Sequence, residues 1–203
     1  TFTESETKVI LEDGLTIGGK PIRDYNEVLG HADAYNQLYE TVKSEDLTVE
    51  DIKFLHKLFY DRIDGDNAGK YRKKPVIITG SKYPTPKPEE IEQKVNSLIG
   101  SLATWKNEFP SVILSAKLHK EFVFVHPFVD GNGRVARLLM NIELFKAGYP
   151  ITIISPVLRA EYIQALEKAH NDDSDFVILI ARCVRESLKE LLRLLQDNGV
   201  KPN

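Results

Sequence analysis

Apolar residues recur at helical spacing along most of this chain. Drawn as a helix, residues 24–43 carry Val28, Leu29, Ala32, Tyr35, Leu38, Tyr39 and Val42 on one stripe. Ile91, Val95, Leu98, Leu102 and Trp105 do the same over 88–109, until Pro110 breaks the pattern. An earlier helix opens at TESE, a capping-box sequence, and runs from Thr3 to Asp13, ending at Gly14. Thr48 caps another, with Ile52, Leu55, Leu58 and Phe59 inward. Residues 111–125 read as a helix, as do 132–147, 156–170 and 174–196. One stretch is extended: KKPVIITGSKYPTP has β-branched residues around Gly80-Ser81 and three prolines that forbid a helix. The pattern predicts a mostly α fold with a small β-hairpin flap over 74–87.

Composition narrows this without changing it. With 203 residues, 42% of them hydrophobic, the chain suits one compact domain over 1–203. We divide it into an N-terminal helical region (1–43), a core (44–173) and a C-terminal helix (174–203). The net charge of −3 gives no global attraction to nucleic acid or anionic membrane, so any anion site is local. No apolar run is long enough to cross a bilayer. The single cysteine, Cys183, lies in an apolar helical run, reads as a buried thiol, and suits a reducing, cytoplasmic setting, here expected to be bacterial. The chain starts at Thr1, and an upstream segment is expected.

The chemistry concentrates in HPFVDGNGRVAR, residues 126–137. Taken alone, DGNG is a common turn. Here, however, an apolar helical run starts directly after the glycines, so GNG sits at a helix N-terminus, where unpaired N–H groups and the helix dipole favour an anion. Gly131 and Gly133 let a phosphate approach the backbone, and Asn132 can cap the helix or donate its amide to the ligand. Arg134 and Arg137 are three apart, on one helix face, and match a di- or triphosphate. Asp130 is placed to hold Mg²⁺ beside such a ligand. His126 can accept a proton near neutral pH. Base, metal ligand and polyphosphate cradle together point to nucleotidyl or phosphoryl transfer onto a hydroxyl.

These twelve residues resemble the Fic (filamentation induced by cAMP) motif, HxFx(D/E)GNGRxxR, at every defined position. GKYR at 69–72, the flap, LLMNIELFKAGYP, YIQALEKA and the N-terminal ETKVILEDGLTIGGKPIRDYNEV are also similar to family segments. The resemblance implies a Fic-type helical core and transfer of AMP from ATP, with Mg²⁺, to a Ser, Thr or Tyr hydroxyl of a target protein. It makes His126 the general base and Asp130 the metal ligand. Gly131, Asn132 and Gly133 form the anion hole, Arg134 reaches the β phosphate, and Arg137 reaches the γ phosphate or an inhibitory glutamate. Phe128 becomes a core anchor, Tyr162 lines the adenine pocket, and His170 stands where relatives often have asparagine. Val76, Ile77, Ile78, Thr79 and Gly80 of the flap would hold the target segment as an added strand. Glycine at 133, where kinase-like members carry lysine, favours AMP transfer. The family also allows a homodimer.

Three alternatives stand beside this reading. A metal hydrolase would use His119, Glu121, His126 and Asp130, but the two histidines are seven apart and no HExxH spacing is present. A weakly active nucleotide-binding regulatory module would keep the motif without the turnover. Transfer of another nucleotide, or removal of AMP by a longer parent chain, would use the same core. In the subgroup that this N-terminus resembles, an inhibitory helix with the pattern [S/T]xxxE(G/N) precedes the segment starting at Thr1. The expectation is therefore a core separated from that helix, with Arg137 free.

Overall fold

The computed structural model describes residues 2–13, 18, 21–44 and 46–197. Eight α-helices carry the fold: α1 (Glu4–Asp13), α2 (Ile22–Thr41), α3 (Val49–Asp64), α4 (Ile91–Glu108), α5 (Ser111–Val125), α6 (Asn132–Lys146), α7 (Arg159–Lys168) and α8 (Ser174–Asp197). Single 3₁₀ turns, Pro88–Glu90 and Pro156–Leu158, lead into α4 and α7. Two starts follow the sequence signals closely. Glu6 N–H donates to the Thr3 hydroxyl at 3.2 Å while Thr3 N–H donates to the Glu6 carboxylate at 2.8 Å. Thr48 and Asp51 form the same reciprocal pair ahead of α3.

The α5–α6 hairpin is the central wall. On one side Leu118, Phe122, Val135 and Leu139 pack with α2, α3 and α4. On the other, Ala116, Met140 and Leu144 pack with Leu166 of α7 and Phe176, Ile180 and Cys183 of α8. Both helices are thus apolar on more than one face, as an element buried on two sides must be. Cys183 is a buried thiol whose pKa burial raises, consistent with an inert structural role. Where α2 crosses α3, Gly30 is required: a Cβ there would lie 2.5 Å from the Phe59 carbonyl oxygen.

The flap departs from expectation. No strand is present among the described residues, and 74–87 is an extended loop that turns at Thr79-Gly80. Pro75, Pro84 and Pro86 lack the N–H groups that a two-stranded ladder needs. One side-chain bond bridges the arms instead, from the Thr85 hydroxyl to the Val76 carbonyl at 2.7 Å, with Ser81 N–H closing the turn onto Ile78. Ile77 is 92% exposed at the crest. Among the described residues no helix is long and apolar enough to cross a membrane.

Candidate active site

His126 caps α5 in the left-handed conformation, φ 48°, the one non-glycine with positive φ among the described residues. That conformation costs an L-residue about 1–2 kcal/mol and is held by a neighbour outside the motif. Arg72, only 2% exposed, donates from Nε to the His126 carbonyl at 2.8 Å and from its own N–H to the Pro127 carbonyl at 2.9 Å. Its terminal nitrogens reach the carbonyls of Lys74 and Pro86, at the two ends of the flap. One guanidinium therefore ties flap and histidine together.

The tautomer of His126 follows from its contact. Nδ1 lies 3.3 Å from the Val123 carbonyl, which only accepts, so Nδ1 carries the hydrogen and Nε2 is left as the base. Burial, assisted by nearby Arg72, lowers the pKa of this imidazole, while Val123 and Asp130 oppose the shift. The side chain stays neutral and proton-accepting through the physiological range.

Below the loop, His56 and Phe59 of α3 form a floor. Gly69 N–H donates to His56 Nδ1 at 2.9 Å, so His56 Nε2 bears the hydrogen and donates to the Asp130 carbonyl at 3.1 Å. Its ring stacks on Phe128, which is fully buried, at 3.7 Å between centroids. Gly131, at φ 79°, lies so close that a Cβ would meet Phe59 at 2.9 Å. Asn132 is also buried, and both ends of its amide bond the Phe128 backbone at 2.9 Å. The side chain expected to cap the helix or reach a ligand is instead a brace for the loop.

The loop delivers Asp130 and the start of α6 to one edge. Asp130 Oδ1 accepts from Gly131 N–H at 2.6 Å, which removes one of the expected anion donors, and Oδ2 accepts from Arg23 of α2 at 3.1 Å. Asn132 and Gly133 are left to present the first N–H groups of α6. Arg134 lies over the Phe59 ring at 4.2 Å and pairs with Glu27 of α2 at 3.4 Å. Glu27 also binds Arg23 at 3.3 Å. An alternating chain, Asp130–Arg23–Glu27–Arg134, thus borders the site. An Arg137 nitrogen lies 3.7 Å from where a Cβ on Gly133 would stand. The loop residues and both motif arginines are therefore together, as expected.

Tyr162 lies apart from them in role. Its hydroxyl meets His119 Nε2 at 2.9 Å, and burial raises its pKa while the nearby charge of Arg137 opposes the rise. A cavity of about 450 Å³ between the flap and α7 is lined by Gly80, Tyr83, Ile163 and Glu167, without Tyr162. One step along a helix rotates a side chain by about 100°, so residues 162 and 163 face different ways. His170 is held between Tyr83 of the flap and Phe124 of α5, stacked at 3.8 and 3.7 Å. The hydrolase ligand set does not converge: His119 is fully buried on Tyr162, Glu121 pairs with Lys120, and no three His, Cys, Asp or Glu side chains cluster as metal ligands among the described residues.

Residues 46–144 match the Fic/DOC family. This chain belongs to the Fic/DOC family. It is 37% identical over 196 residues to the protein adenylyltransferase Fic of Nematostella vectensis, covering 95% of this chain and 45% of the relative. The Drosophila melanogaster protein of the same name is 35% identical over 204 residues, covering 97% and 40%. Among solved structures, Fic-1 from C. elegans superposes with a TM-score of 0.89 at 30% identity, over 98% of this chain and 60% of that one. A Fic-domain signaling protein from Bacteroides thetaiotaomicron gives 0.90 at 26% identity, over 100% and 84%. The chain spans less than half the length of these curated relatives, which are animal proteins.

Three functional neighbours escaped the sequence reading: Arg72, His56 and the Arg23–Glu27 pair. GKYR was noticed as a similar segment, but nothing local shows that its arginine reaches a residue 54 positions later.

Proposed function

We propose that this chain transfers AMP from ATP to a hydroxyl side chain of a target protein. The observation that carries the reading is the pairing of an unprotonated His126 Nε2 with the N-terminus of α6 and the two arginines in its first turns. His126 takes the proton from the target hydroxyl, its oxygen bonds the α-phosphorus, and the bond to the departing pyrophosphate breaks. The N–H groups of Asn132 and Gly133 receive the phosphate oxygens, and Arg134 and Arg137 hold those further along the chain.

Asp130 is a half-exposed carboxylate at the edge of this cradle, with an oxygen occupied by a cation, Arg23. A lone hard oxygen donor beside a polyphosphate fits Mg²⁺, which completes its shell with water and phosphate oxygens. When bound there, the ion neutralises phosphate charge and orients the polyphosphate.

In the first arm of the flap the Val76 and Ile78 carbonyls are taken up within the flap, and the exposed residues Ile77 and Thr79 between and beyond them are the ones that offer backbone to an extended target segment. The cavity between flap and α7 is the place for the base. The target is a protein; a homodimer and a cytoplasmic setting are compatible with this reading. Incubation with ATP labelled at the α phosphate tests it: label should enter protein with the parent chain and not with His126→Ala. Equal labelling by both would overturn the assignment.

A further inference from the structure

We propose that His170 is a positioning residue that holds Tyr83, and with it the second arm of the flap, against the end of α7. The inference rests on the reading of the cavity between flap and α7 as the place for the base. The flap needs such a hold. Arg72 fixes its two ends, at Lys74 and Pro86. Between them the arms share the Thr85–Val76 bond and, among the described residues, no strand ladder. Where the middle of the second arm stands is therefore set by what it meets on α7.

It meets residues 167, 170 and 171, which a three- and four-residue spacing places on one side of the last turn. Lys82 N–H donates to the Glu167 carboxylate at 2.7 Å, and the Asn171 amide donates to the Tyr83 hydroxyl. The His170 ring lies against the Tyr83 ring, with centroids 3.8 Å apart and planes 18° from parallel. It also stacks on Phe124 at 3.7 Å, and Phe124 stands two residues before His126 on α5. The imidazole makes no hydrogen bond among the described residues, so it acts through its faces. One three-ring stack thus joins flap, α7 and α5. Tyr83 and Gly80 form the flap wall of the cavity, Ile163 and Glu167 the α7 wall, and His170 stands behind Tyr83, outside the lining. A slot whose wall is already braced admits a flat base without first ordering the loop, and that saving appears as affinity.

The test is binding of ATP, AMP and inorganic tripolyphosphate by calorimetry, with KM and kcat for AMP transfer alongside. His170→Ala should weaken ATP and AMP by the same factor, about 3- to 10-fold, the size of one lost ring stack. Tripolyphosphate, which has no base, should bind as it does to the parent. KM for ATP should rise by that factor while kcat changes less. His170→Phe keeps the stack and should restore parental affinity. In a Tyr83→Ala background, His170→Ala should have little further effect. Unchanged ATP affinity in His170→Ala, an equal loss for tripolyphosphate, or failure of His170→Phe to rescue would overturn the proposal. If Tyr83→Ala alone leaves ATP and AMP binding unchanged, the base reading of the cavity fails, and the brace fails with it. Binding is read without turnover, so a failure of AMP transfer itself would show separately. If His170→Ala does not fold, His170→Asn, which also lacks the ring, takes its place.

Discussion

Arg72 and His126 lie 54 residues apart in sequence, yet the arginine Nε donates to the histidine carbonyl at 2.8 Å, and the same guanidinium holds both ends of the flap. Lysine cannot reproduce a planar fork that meets three carbonyls. Arg72→Lys should therefore lose stability by about 2 kcal/mol or more, since buried acceptors lose a charged donor. Transfer should fall further than ATP binding. Thermal melts and steady-state kinetics check both, and a variant with native kinetics would show that the tie is idle.

The strained backbone of His126 separates its chemistry from its structure. His126→Ala and His126→Gly should both lose transfer by about 10²–10⁴-fold through loss of the base. The glycine variant should nevertheless be more stable than the alanine variant by about 1 kcal/mol, because only glycine adopts positive φ freely. Chemical denaturation of the pair measures the difference.

Asp130 and Arg23 predict a competition. Asp130→Asn should abolish the Mg²⁺ dependence of nucleotide binding, whereas Arg23→Gln should lower the Mg²⁺ concentration needed for half-saturation, since one oxygen no longer faces a cation. Titration of Mg²⁺ at fixed ADP reads this directly. On the neighbouring arginine, Arg134→Ala should weaken ATP binding more than AMP binding. An Arg23→Gln curve that overlays the parent would show that the ion pair does not compete.

Acid should destabilise the fold through its buried imidazoles. Burial lowers His31 and His56 to about 4 and His119 to about 3, from an ordinary 6.5. Between those folded values and 6.5 the unfolded chain binds protons that the native chain refuses, so stability rises with pH across that window and levels off above it. Melting temperature should drop steadily on acidification from about pH 6.5 to 4. His56→Gln should flatten part of the slope. Because His126 is shifted in the same direction, the acid limb of transfer should have its midpoint below pH 6.5.

A chain that carries the family's upstream [S/T]xxxE(G/N) helix should transfer AMP more slowly than residues 1–203 and remove it faster. Arg137 would then answer to a glutamate as well as to the nucleotide. Comparison of self-modification by the two lengths checks this, and equal rates would remove Arg137 from the regulatory role.

The helices were legible in sequence because both α5 and α6 carry apolar residues through several turns and the caps at Thr3 and Thr48 use local bonds. The loop was legible because its glycines and arginines lie within twelve residues. The flap was misread since β-branched residues signalled strands, while Pro84 and Pro86 denied them a ladder. The Asn132 side chain was read as a helix cap or a donor to the ligand because both suit its type, but whether an amide turns inward depends on the Phe128 backbone. Tyr162 was given to the adenine pocket by likeness, and its bond to His119 of α5 is one that spacing along α7 does not encode. Long-range polar contacts are the part of a site that local pattern carries least.

The floor that α3 supplies has a practical consequence for anyone who would borrow this site. The segment 126–137 keeps its shape because His56 wedges under Asp130, Phe59 limits what can stand at 131, and Arg72 restrains His126. None of the three lies in the motif. Grafted onto another helical hairpin, the twelve residues would arrive without their mould and relax into an ordinary turn. A transplant would have to bring residues 56–72 with it, which makes the smallest portable unit a pair of segments and not a cassette.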